Sequence, residues 1–173
     1  TLLAERLGLD FSHERNYRLA DRFSFLDKLR QGSNQYAYNI LSGTYQNHQI
    51  TTFDFHYETH STDSKGRRQT HHHHFSFFIL TLEKFFPELT IAKEGFFSKI
   101  AQAVGFDDID FESHEFSKKF VVRSKDKKFA YDFCNAQMID YLLGHPNINI
   151  EVDQNMLAIG FNSCLKVEEI EPH

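Results

Sequence analysis

Tryptophan is absent from this 173-residue chain, and cysteine occurs only twice, at Cys134 and Cys164. Two cysteines exclude the disulfide framework of a small secreted domain, and the lack of a C-x-x-C pair excludes the common zinc-ribbon and redox motifs. Free thiols in a reducing compartment are the simpler reading. No apolar run approaches the roughly 18 residues that span a bilayer, and no signal-peptide pattern is present. Several enzyme signatures are missing too: there is no phosphate-binding glycine loop, no G-x-S-x-G elbow and no H-E-x-x-H helix. A basic excess is also lacking. The formal net charge of −5 argues against a nucleic-acid partner, and Lys65 with Arg67 and Arg68 is too small a patch to change that.

What the chain has in abundance is phenylalanine. Nineteen Phe and seven Tyr mean that aromatic rings fill much of the core, which favours strands because rings fit a pleated surface. The length suits one domain, residues 1–173. Charge is uneven: residues 1–87 carry ten Lys and Arg against nine Asp and Glu, residues 88–173 nine against fifteen. The surplus acid sits in Asp107, Asp108 and Asp110 and in the tail Glu168, Glu169 and Glu171. A solvated face explains both runs, and residues 165–173 are expected to fray.

Periodicity and punctuation predict the elements. TLLAERLGL (1–9) reads as a short helix with Leu2, Leu3 and Leu7 on one side, and Leu19, Phe23, Leu26 and Leu29 space a second helix over 19–30. Residues 36–58 read as a hairpin turning at Asn47-His48, with Ile40 opposite Phe55 and Tyr38 opposite Tyr57. After a polar loop (60–69), THHHHFSFFILTL (70–82) reads as a strand that Pro87 stops, and ELTIA (88–92) as another. EGFFSKIAQAVG (94–105) has helical spacing closed by Gly105. A second hairpin is expected around Lys125-Asp126, pairing Val122 with Phe129 and Phe120 with Tyr131. Asn135 then caps AQMIDYLLG (136–144), and a last hairpin turns at Gln154-Asn155. Helices alternating with antiparallel hairpins, and no parallel crossover rhythm, give an α+β class: one sheet, or two small ones, with about four helices packed against it.

LAERLG (3–8), NILSGTY (39–45), FDFHY (53–57), DIDFES (108–113), FAYDF (129–133) and YLLGHP (141–146) occur in an order that resembles an uncharacterised bacterial domain family. The resemblance spans nearly the whole chain and implies no assigned activity. Members of that family resemble the soluble part of proteins with one N-terminal membrane segment. That implies a place in the cytoplasm or on the cytoplasmic side of the inner membrane, with any membrane contact made through a segment ahead of this sequence. This chain departs from the family at His71 to His74, where relatives tend to have apolar strand residues.

Those four histidines acquire meaning only through register. Pairing Phe55 with Phe75 places Phe53 opposite Phe77, a consistent core face. The other face then holds His56 across from His74, Glu58 across from His72, and Asp54 across from Ser76. Directly opposed Cβ atoms lie about 4.5–5.5 Å apart, so His56, Glu58, His72 and His74 share one patch. Imidazole nitrogen and carboxylate oxygen are the donors Zn²⁺ takes in tetrahedral sites, and Ni²⁺ accepts imidazole too. A run of four histidines also puts two on each face of any strand, so an exposed polar strand end needs no metal. A pH-sensitive patch is the intermediate reading. In DDIDFESHEF (107–116) alternation puts Asp108, Asp110, Glu112 and His114 on one strand face, a set that could bind Ca²⁺ or do acid–base work, although a folding role is the preferred account. The sequence as a whole points to a non-enzymatic binding domain acting through a protein partner, with a His-cluster metal protein as the alternative. A small-molecule site in an aromatic-lined cavity is the third reading.

Overall fold

The computed structural model describes residues 2–93 and 107–165. Two expectations fall outside them: the helix over 94–105, and all but the first residue of the frayed tail. The chain forms two compact units, residues 1–78 with 161–173, and residues 79–160. The class is α+β, with a mostly antiparallel sheet and four α-helices among the described residues.

In the first unit, α1 (Leu2–Leu7) leads to the short strand β1 (Asp10–Ser12), which pairs with β2 (Ser33–Tyr45). α1 buries Leu3 and Ala4, whereas Leu2 is 86% exposed. The predicted helix over 19–30 is instead two 3₁₀ turns, Leu19–Phe23 and Asp27–Arg30. Its apolar spacing survives the change, for Leu19, Phe23, Leu26 and Leu29 are all buried. β2 pairs with β3 (His48–Thr62), and β3 with β4 (Arg68–Ala92). An Asp63 carboxylate closes the β3–β4 connection by accepting from the backbone N–H groups of Lys65 and Arg67, each at 2.9 Å.

The first hairpin exists, but in a different register. Tyr45 pairs with His48, so the turn is Gln46-Asn47. Both have positive φ, 48° and 66°, which is what a type I′ turn demands. Register then shifts twice along β2, between Tyr38 and Leu41 and between Ser33 and Tyr36. Each shift contains an asparagine in the left-handed region, Asn39 at φ 48° and Asn34 at φ 49°. Ala37 therefore faces Phe55, and Tyr36 faces His56.

β4 is one 25-residue strand, not two. Pro87 is tolerated next to an exposed stretch, Glu83 to Phe86, where an unmade ladder bond costs little. In the second unit β4 pairs with β6 (Val121–Ser124) and with β7 (Ile148–Phe161), and β6 also pairs with the two-residue β5 (Asp107–Asp108). The hairpin expected around Lys125-Asp126 is overturned. Asp126 caps α3 (Lys127–Phe133), its carboxylate accepting from Phe129 N–H at 2.9 Å. Ala130 and Cys134, one helical turn apart, are buried, while Tyr131 is about half exposed. The acidic strand expected over 107–116 is likewise short: Ser113 caps α2 (His114–Lys119). α4 (Ala136–Gly144) is capped by Asn135 as expected, its side chain accepting from Met138 N–H at 3.1 Å. β7 carries Gln154 at φ 53°, and the Asn149 amide donates to the Gly160 carbonyl at 3.4 Å, so the chain folds back on itself about the expected turn at Gln154-Asn155.

Candidate functional site

In the first unit the side chains of β3 and β4 meet as the apolar match demands. Phe55 lies 5.5 Å from Phe75 and Phe53 5.9 Å from Phe77, centroid to centroid, and all four rings are buried. Phe23 stacks on Phe53 from the first 3₁₀ turn. This ring layer fixes the face on which every neighbouring side chain lies, because strand side chains alternate.

Two histidines of the run go to each face. His73 stacks on Tyr57 at 4.5 Å, its Nε2 2.8 Å from the Thr59 hydroxyl, and His71 Nε2 lies 2.8 Å from the Ser61 hydroxyl. Partial burial lowers the His73 pKa first, and the nearby Lys28 ammonium adds to it.

His72 and His74 lie on the side of His56. His56 Nε2 is 3.0 Å from His72 Nδ1, and His72 Nδ1 is 3.6 Å from Glu58 Oε1. One donor atom from each of the three falls within 4.8 Å of the others, and this is the only such group of three or more ligating side chains found among the described residues. His74 stands apart from it. Its ring is 4.8 Å from the His56 ring, but its Nδ1 is engaged by the Tyr38 hydroxyl at 3.0 Å. Desolvation, followed by repulsion from His56 and His72, lowers the His74 pKa.

Asn34 holds the group from β2. Its backbone carbonyl lies 3.1 Å from His56 Nδ1, and its side-chain amide donates to Glu58 Oε1 at 2.6 Å. A carbonyl can only accept, so His56 carries its proton on Nδ1 and its Nε2 lone pair faces His72. The Asn34 hydrogen bond is the main reason the Glu58 carboxyl titrates below its usual range, with His72 and His56 adding to it. Tyr36 stacks on the buried His56 ring at 4.5 Å, and Arg15 lies over Tyr36.

A second asparagine repeats the device. Asn39 donates to Asp54 at 2.8 Å, and Asp54 also accepts from the buried Ser76 hydroxyl. Leu165 N–H donates to Ser76 Oγ at 2.9 Å, and Cys164 Sγ lies 3.6 Å from the Tyr38 hydroxyl. Burial pushes the Tyr38 and Cys164 groups up, so neither is a ready nucleophile. Cys134, in the second unit, is pushed up to about 12 by burial and belongs to the core.

The acidic stretch performs structural tasks. Asp108 pairs with Arg123 at 2.6 Å, and the Asp110 carbonyl accepts from the Tyr131 hydroxyl. A hollow of about 260 Å³ in the first unit is lined by Glu14, Arg15, Asn16 and Arg22 with small polar and aliphatic neighbours, and no aromatic ring.

No family model matches the chain, and no curated protein matches it. A solved structure shares its fold: the crystal structure of the mycobacterial trehalose monomycolate transport factor A, TtfA. The TM-score is 0.59 at 12% identity, over 92% of this chain and 77% of that one. At that identity the likeness concerns the fold alone.

Proposed function

We propose that this chain is a non-enzymatic interaction domain that acts through a protein partner. The observation that carries the reading is Phe85, 75% exposed on β4 beside Phe86, which stacks on Phe129 of α3 at 5.8 Å. Exposed aromatic rings on a rigid strand are unfavourable in water and are enriched where proteins meet. The solved structure that shares this fold is described as a transport factor, a description compatible with this reading. No described helix is long and apolar enough to cross a membrane. Attachment to a membrane, in this reading, comes from a segment outside the present sequence.

Photo-crosslinking in bacterial cells tests it. A benzophenone amino acid at position 85 is expected to trap one discrete protein, and the same probe at Lys65 in the polar β3–β4 turn is not. Adding Phe86→Ser should abolish the adduct. An identical diffuse pattern from both positions would refute an interaction face on β4.

A further inference from the structure

The geometry points to a divalent transition-metal site, Zn²⁺ foremost, made by His56, Glu58 and His72 and positioned by Asn34. The inference is independent of the interaction reading, because it rests on the first unit and on different residues.

Tetrahedral Zn²⁺ with Zn–N and Zn–O bonds near 2.0–2.2 Å places its ligand atoms about 3.3 Å apart. Here two edges are 3.0 Å, between His56 Nε2 and His72 Nδ1, and 3.6 Å, between His72 Nδ1 and Glu58 Oε1. The third lies within 4.8 Å. Two edges of the donor triangle are therefore close to tetrahedral size before any ion enters.

The protonation states fit as well. The Asn34 carbonyl keeps the His56 proton on Nδ1, so Nε2 needs no rearrangement to ligate. A histidine that donates its other ring N–H to a backbone carbonyl is a recurrent support for metal ligands, fixing both tautomer and ring orientation. The His72 side chain is 57% exposed, so it can move its proton to Nε2 and free Nδ1 for the ion. Glu58, hydrogen-bonded by the Asn34 amide, supplies a carboxylate and so reduces the net charge of the site. One residue thus orients two of the three ligands, and it does so from the left-handed conformation that the β2 irregularity imposes.

Three protein ligands leave a fourth position for water, and the exposure of His72 gives the ion a way in. His74 is outside the inner set because it does not join the group whose ligand atoms all lie within 4.8 Å of one another. His71 and His73 point to the opposite face and serve as internal controls.

The test uses the full chain without a histidine tag, stripped with chelator and titrated with Zn²⁺ and with Co²⁺ as a spectroscopic probe. One ion per chain is expected, with the visible absorption of four-coordinate Co²⁺. Glu58→Gln and His72→Ala should each weaken Zn²⁺ binding by about a hundredfold, and Asn34→Ala by about tenfold, the range seen when outer-shell partners are removed. His71→Ala should change little. His56 is buried, and its replacement risks misfolding, so the other variants decide the matter. Equal losses from His71→Ala and His72→Ala would mean that the run binds metal as a tag does, and would overturn the site. So would the absence of one-to-one binding in the parent chain. Unchanged affinity in Asn34→Ala would remove its positioning role.

Discussion

Gly32→Ala is the change whose cost can be worked most directly from the structure. Gly32 immediately precedes β2 at φ 67°, a left-handed conformation that costs an L-residue roughly 1–2 kcal/mol. A Cβ placed there would also fall on the Glu58 carbonyl oxygen and come 2.6 Å from Cδ2 of Tyr57. Neither obstacle is a free side-chain end: one is ladder backbone of β3, and the other is a buried ring that His73 covers. Relief requires the strand or the loop to move, which by the usual cost of overpacking adds about 1–3 kcal/mol. The total is therefore about 2–5 kcal/mol, a large part of the stability of an ordinary domain. Gly8 provides the matched control. Its φ is 66°, but nothing lies within 4 Å of an added methyl, so Gly8→Ala should cost only the conformational part, about 1–2 kcal/mol. Urea unfolding followed by far-UV circular dichroism and tyrosine fluorescence would compare the two midpoints. Equal destabilisation would refute the claim that Gly32 is required by the close approach to β3.

Asp126→Ala removes the N-cap of α3 and should cost about 1 kcal/mol, read as a shift of the urea midpoint; no shift would favour the hairpin over the helix. Acidification should also destabilise the first unit. The folded pKa values of His73 and His74 are lowered, so the unfolded chain binds more protons once the pH drops below the ordinary histidine value. Their contribution is whole above about pH 6.5 and is lost as pH falls through the depressed folded values. Denaturant titrations between pH 8 and 5 should show the decline, and His73→Gln with His74→Gln should flatten it. A parent curve as flat as that of the variant would dispose of this account.

The parts of the fold legible in the sequence are those where one face decides. The Phe53–Phe77 and Phe55–Phe75 pairs follow from apolar matching alone, since a slip of one residue would expose four rings. Asn135 starts α4 because capping chemistry acts within a few residues, and the helix ends at Gly144. The failures occur where two periods fit equally well. Phe129, Tyr131 and Phe133 alternate like a strand, yet Ala130 and Cys134 also mark a helical face. The Asp126 cap, which resembles a turn residue in sequence, decides for the helix. Pro87 looks in sequence like a stop, and long β4 instead absorbs it.

The site shows the same division for a deeper reason. His56, Glu58 and His72 can be placed together from sequence because their proximity depends only on pairing β3 with β4. Asn34 cannot, because its position depends on β2 slipping by one residue at each of two left-handed asparagines. Without those slips β2 would keep the plain hairpin register of its turn, and the backbone at Asn34 would have no reason to meet His56. The irregularities also explain the repeated contact of an asparagine amide with a β3 carboxylate, Asn34 with Glu58 and Asn39 with Asp54. An extra residue in a strand leaves a side chain out of the ladder, and a short amide that tolerates positive φ is well suited to reach across and bind the neighbouring strand. The unusual histidines therefore draw the eye, but what makes them more than an exposed strand end is the pair of β2 slips that brings a carbonyl and an amide to bear on them.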